Sequence, residues 1–196
     1  MFLAAVAETD ATGPLADYYA HTRAQWGFLP NFALAFSHRP DVARAWNTLN
    51  VTVREGMDRR RFEIVTIAAA RALHSTYCTA AHSTFLRDAC SDEQTMRSIA
   101  LDPSGSALSE QDRAIYDFGA KLATNAVLIE SVDIDRLREV GLSDADIADL
   151  VFAVAARSFF TRVLDGVGVQ LDPELAMTFP PEIRAAMVVG RPVADE

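Results

Sequence analysis

The sequence predicts an all-α protein, a compact multi-helix bundle folded as one domain, and three observations carry that expectation. Apolar residues recur at helical spacing along nearly the whole chain. No run of alternating apolar and polar residues is framed by hairpin turns. Capping residues and glycine or proline stops fall at the ends of the periodic stretches. Half of the 196 residues are hydrophobic and 23% are charged, enough to close a substantial core within one domain's usual length. The domain is expected to span residues 1–196, with a core over about 15–170 and a C-terminal tail over 171–196 that either docks on a neighbouring subunit or frays.

Each element follows from local signals. Pro14 opens a helix carrying Leu15, Tyr18, Tyr19 and Trp26, and Gly27 with Pro30 stops it. Asn31 caps a short helix through Phe36. Pro40 begins another, with Val42, Ala45, Trp46, Leu49 and Val53 at core spacing, that ends near Gly56. Asp58 is the next N-cap, and the stretch from Phe62 to Leu73 is apolar on almost every face, the mark of a central buried helix. A helix from Ser75 to about Ala89 follows, then a short one capped by Ser91. Asp102 to Ser109 reads as a loop. Ser109 with Asp112 starts a helix bearing Ile115, Phe118, Leu122 and Ala123. Asp133 to Val140 is a short helix stopped by Gly141, and Ser143 with Asp146 starts a long one ending near Gly166 or Gly168. The runs Ile64 to Arg71 and Leu150 to Arg157 look alike because small residues suit close helix packing, not because the chain repeats.

Composition removes several function classes. A net charge of −9 argues against nucleic-acid binding, and the one basic cluster, Arg59 to Arg61, is too short to line a groove. The apolar start from Met1 to Ala7 lacks a basic flank and breaks at Glu8, so neither a secretory signal nor a membrane span is expected, and the cytoplasm is the expected compartment. Two cysteines, Cys78 and Cys90, exclude a disulfide framework and a four-cysteine zinc site. No cofactor is called for.

Chemistry concentrates around Cys78. His82 lies four residues on, so on a helix both side chains share a face and the imidazole can take or share the thiol proton. With Ser75 as N-cap, Cys78 sits at the third position of the first turn, where free N–H groups and the dipole favour a thiolate. Glu63, fifteen residues upstream, reaches the pair if the two helices are antiparallel, and would complete an acid–base relay. Bland alternatives stand beside each: a buried structural thiol, a core histidine, a glutamate paired with Arg60, and a serine that only caps. An unbroken helix would also align His74, Cys78 and His82 as soft metal ligands, though a break at Ser75 turns His74 away, and no metal is expected. Cys90, about 18 Å further along a continuous helix, reads as structural.

Glu63, the apolar helix, and Ser75-Thr76-Tyr77-Cys78-Thr79-Ala80-Ala81-His82 together resemble the alkyl hydroperoxidase D-like branch of the carboxymuconolactone decarboxylase superfamily. Trp26-Gly27, Pro30-Asn31, Leu108-Ser109-Glu110 and Gly141-Leu142-Ser143 extend the likeness over most of residues 15–170. The resemblance implies an oligomeric helical fold, a trimer or hexamer, and a thiol that reacts with hydroperoxides. It makes Cys78 the attacking thiol, His82 its hydrogen-bond partner and Glu63 the relay base. Ser75 departs from it, standing where the family has its first cysteine, so the redox cycle needs an external thiol reductant. Ser158 likewise stands where asparagine is expected in many relatives.

Three functions follow in order: a one-cysteine peroxidase-like enzyme acting on a small molecule, a lyase using His82 and Glu63 on a small organic acid or lactone, and a non-enzymatic helical oligomer or ligand-binding module. Phe28, Phe32, Phe36 and Trp46 are candidates to line an apolar pocket, and equally to form core.

Overall fold

The structure, a computed structural model, describes residues 1–102 and 107–195. Eleven α-helices and no strand occur among the described residues: α1 (Pro14–Trp26), α2 (Asn31–Leu34), α3 (Pro40–Gly56), α4 (Arg59–Ala72), α5 (Thr76–Asp88), α6 (Glu93–Leu101), α7 (Glu110–Thr124), α8 (Ser131–Glu139), α9 (Asp144–Val167), α10 (Pro173–Ala176) and α11 (Pro181–Met187). Part of the expected loop between α6 and α7, residues 103–106, lies outside the described residues.

The all-round apolarity of α4 puts it at the centre. Every residue from Phe62 to Ala70 is buried, and α5, α7 and α9 pack against it, with α3 laid across α9. The approach of α7 requires Gly119, because a Cβ there would stand 2.7 Å from Val65 Cγ2 and 3.1 Å from the Val65 carbonyl. Charged side chains pin the start of α4. Arg60 bonds Asp92 and Asp112, tying α4 to α6 and α7, while Arg61 reaches Asp146 on α9. The three arginines of the basic cluster thus make four ion pairs within the chain, and Glu63 pairs with Arg59, not with Arg60 as its bland reading had it.

Several caps fall as expected: Asp58 accepts from Arg61 N, Ser109 from Asp112 N, and Ser143 with Asp146 forms a capping box. Others move. Asp92, not Ser91, caps α6, because Ser91 adopts a left-handed φ of 53° that places the next carboxylate on Thr95 N. Pro30 precedes α2 and Asn31 is already inside it. A reciprocal Glu130–Asp133 pair starts α8 two residues earlier than Asp133.

The larger correction concerns residues 171–196. Leu171, Leu175, Ala176, Phe179, Ile183 and Met187 are buried in the same core as α4, so residues 171–187 belong to this chain's interior and are not a free tail. The stretch that follows crosses the α4–α5 turn, where Gly190 N donates to Thr76 Oγ1 and the Val189 carbonyl meets His74 Nδ1. Among the described residues no helix is long and apolar enough to cross a membrane.

Candidate functional site

The turn between α4 and α5 sets the site. His74 takes a left-handed φ of 57°, Ser75 N returns to the Ala70 carbonyl, and α5 runs back antiparallel along α4. Cys78 is therefore the third residue of α5, as the sequence implies, and Glu63 and His82 come face to face. His74 is turned away and belongs to the C-terminal crossing.

Glu63 is wholly buried and accepts from two side chains. One oxygen accepts from Arg59 Nε at 2.6 Å and the other lies 2.5 Å from His82 Nδ1. Thr66 Oγ1, which donates to the Phe62 carbonyl, is also 3.1 Å from His82 Nδ1. A protonated Nδ1 satisfies both acceptors, which leaves Nε2 as the ring's lone-pair nitrogen. Phe62 and Phe85 present their edges to the ring. Burial, with the Arg157 charge beside it, lowers the His82 pKa to about 4 against the opposing pull of Glu63, so the imidazole is neutral at pH 7.

Cys78 Sγ does not join that pair. Its partners come from α9: Arg157 Nη1 at 3.8 Å and Thr161 Oγ1 at 3.5 Å, and no hydrogen bond links it to His82. The direct Cys78–His82 hydrogen bond expected from the four-residue spacing is therefore not formed, because the imidazole turns its Nδ1 edge to Glu63 and Thr66 on α4 while the thiol meets Arg157 and Thr161 on α9. Ser75 occupies the N-cap position, but its hydroxyl caps nothing and is buried without a partner.

Arg157 is the site residue the sequence reading passed over. It is 3% exposed, sits against Trp46 and Phe160 with its guanidinium 5.4 Å from each ring, and donates to Asn50 at 3.3 Å, while its Nε has no partner. No carboxylate pairs with it among the described residues. The signal was present as an arginine inside the most apolar stretch of α9, with Thr161 four residues on. Phe32, Phe36 and Trp46 close on one another through Phe160, which stacks on Trp46 with centroids 4.0 Å apart, so these rings are core beneath Arg157. Phe28 is outside that group. Cys90 is half-buried, and burial pushes its thiol up, as suits a structural residue. Ser158 bonds only the Val154 carbonyl of its own helix.

Residues 40–102 match the model of the carboxymuconolactone decarboxylase family. No curated protein matches the chain at a significant level. Among solved structures, an alkylhydroperoxidase AhpD core, an uncharacterized peroxidase-related protein from Ralstonia eutropha JMP134, superposes with a TM-score of 0.78 at 22% identity, covering 89% of this chain and 93% of that one. A peroxidase-related protein from Silicibacter sp. TM1040 gives 0.72 at 21%, covering 84% and 90%. The debrominase Bmp8, in a variant bound to 2,3,4-tribromopyrrole, gives 0.70 at 17%, covering 95% and 96%.

Proposed function

We propose that this chain, which carries a carboxymuconolactone decarboxylase family domain on an alkylhydroperoxidase D-like fold, is a one-cysteine thiol enzyme that reduces a small hydroperoxide at Cys78. The observation that carries the reading is the buried Arg157, which makes no ion pair among the described residues and holds Nη1 3.8 Å from the Cys78 sulfur. A buried cation without a counter-charge is costly, and a thiolate at the N-terminal turn of α5 supplies one. Thr161 donates to the same sulfur.

In the reaction the sulfur attacks the terminal peroxide oxygen. The S–O bond forms as the O–O bond breaks, Cys78 is oxidised to sulfenic acid, and the alkoxide leaves and takes up a proton to become an alcohol. Arg157 Nε–H, which has no acceptor, is the donor available to that leaving oxygen. Burial and the Arg157 charge hold His82 neutral, while Glu63 fixes the ring proton on Nδ1, which makes Nε2 the proton-accepting nitrogen of the relay. With serine at position 75, a separate thiol reduces the sulfenic acid through a mixed disulfide. The same reading takes the protein to be a trimer or hexamer, with the exposed Phe152 and Phe159 of α9 as contact residues.

The test is thiol-dependent reduction of cumene hydroperoxide in a Cys90→Ala background. Cys78→Ser abolishes turnover, and Arg157→Met lowers it about a hundredfold. A bromopyrrole is the second electrophile to assay. The lyase reading draws on one observation, that Glu63–His82 is formed while Cys78 stands apart. An inert Cys78 together with His82-dependent turnover of a small lactone or organic acid would replace the peroxidase reading with it, and inertness throughout would leave a binding module.

A further inference from the structure

The long helix α9 turns one face inward, with Ile147, Leu150, Val154, Arg157, Thr161 and Leu164 buried. Its outer face is not polar, as that of a solvated helix would be. Phe152 is 56% exposed and Phe159 42%, and their seven-residue spacing puts both rings on one stripe. The exposed Ala145 and Ala155 and the half-buried Ala148 continue that stripe at steps of three and four. Apolar positions in this rhythm form the seam by which one helix packs on another, yet no described element of this chain covers the two rings.

Two charges flank the rings. Asp149 stands three residues before Phe152 and Arg162 three residues after Phe159, and neither makes a hydrogen bond or an ion pair with any described residue. They are about 20 Å apart along the helix, too far to meet each other. Read outwards from Ala155-Ala156, the helix presents a phenylalanine and then a charge in both directions, and the two charges are opposite. Such a face is complementary to its own reverse. A second α9 laid antiparallel, about a two-fold axis between Ala155 and Ala156, sets Phe152 level with the partner's Phe159. The same axis brings Arg162 level with the partner's Asp149, across the seam and within reach of the long arginine side chain. A parallel pairing would set each charge against its like. The small side chain of Ala155 near the axis lets the two backbones approach closely.

We infer that the outer face of α9 docks a second copy of this chain, helix against antiparallel helix, with two Phe152–Phe159 contacts and two Arg162–Asp149 ion pairs related by the two-fold axis. Such a contact builds a dimer, or a hexamer made of three such pairs, and never a lone trimer, so it narrows the assembly given above. It depends on no step of the reaction at Cys78. The inner face of the same helix carries Arg157 and Thr161 to the thiol, so the pairing backs one wall of the site.

Sedimentation equilibrium of the full chain over a range of concentrations tests the pairing. The wild type is expected to form dimers or hexamers, and Phe152→Glu to halve the assembly mass or lower it further. Asp149→Arg and Arg162→Asp each set like charges across the axis, and each should raise the concentration of half-assembly about tenfold. The double exchange, Asp149→Arg with Arg162→Asp, should restore it. Circular-dichroism melting checks that every variant remains folded. A wild type that stays monomeric or stops at a trimer, an assembly indifferent to Phe152→Glu, or a double exchange as weak as the single ones overturns the inference. Assembly is measured without substrate, so an inert Cys78 removes the peroxidase reading and leaves the pairing standing.

Discussion

Glu63 and His82 meet because an antiparallel hairpin of two helices with a three-residue turn brings their positions together. Arg157 reaches Cys78 across 79 residues of chain, from a different helix. The neutral His82 has a measurable consequence. Its folded pKa of about 4 lies below the unfolded value near 6.5, so between these pH values the unfolded chain takes up a proton that the folded ring refuses. His82's contribution is complete above pH 6.5 and is lost as pH falls towards 4, by about 3 kcal/mol at most. Denaturant melts of wild type and His82→Gln across pH 4 to 7 should differ in slope by this amount, the wild type being the steeper. Parallel curves would mean that the ring titrates in the folded protein as it does in the unfolded chain.

At the scale of elements, helix existence was plain and the ends were less so. Caps with a strong sequence signature, such as Ser143 with Asp146, fell in place, whereas Ser91 lost to Asp92 through a backbone dihedral that the sequence does not announce. The α4–α7 contact depends on the absence of a side chain, which periodicity in apolar residues cannot reveal. Gly119→Val should destabilise the fold by about 2–3 kcal/mol despite removing a helical glycine, because Val65 is backed by core and its carbonyl cannot yield. Urea titration measures it. A neutral or stabilising result would show that α7 shifts away freely, and Glu63 on α4 would then report the shift through altered His82 contacts.

Over the whole molecule, the misjudged part was residues 171–196, whose short helices carry too little periodicity to be read as core yet bury Phe179, Ile183 and Met187. They also bring Asp172 to Tyr77 and to Asn31 N, fastening α5 and α2 to the end of the chain. Arg157, buried and without an ion pair among the described residues, has a consequence for stability as well. Capping Cys78 with a neutral carboxamidomethyl group strands Arg157 in the interior, while a carboxymethyl group of nearly equal size supplies an anion in its place. The neutral adduct should melt about 5–10 °C below the anionic one, and equal melting points would show that Arg157 needs no counter-charge. If the difference holds, the melting temperature becomes a gauge of the charge on one sulfur atom. Sulfinic acid, permanently ionised at neutral pH, would be the state in which the fold rests most comfortably, so that over-oxidation is a trap deepened by the architecture itself.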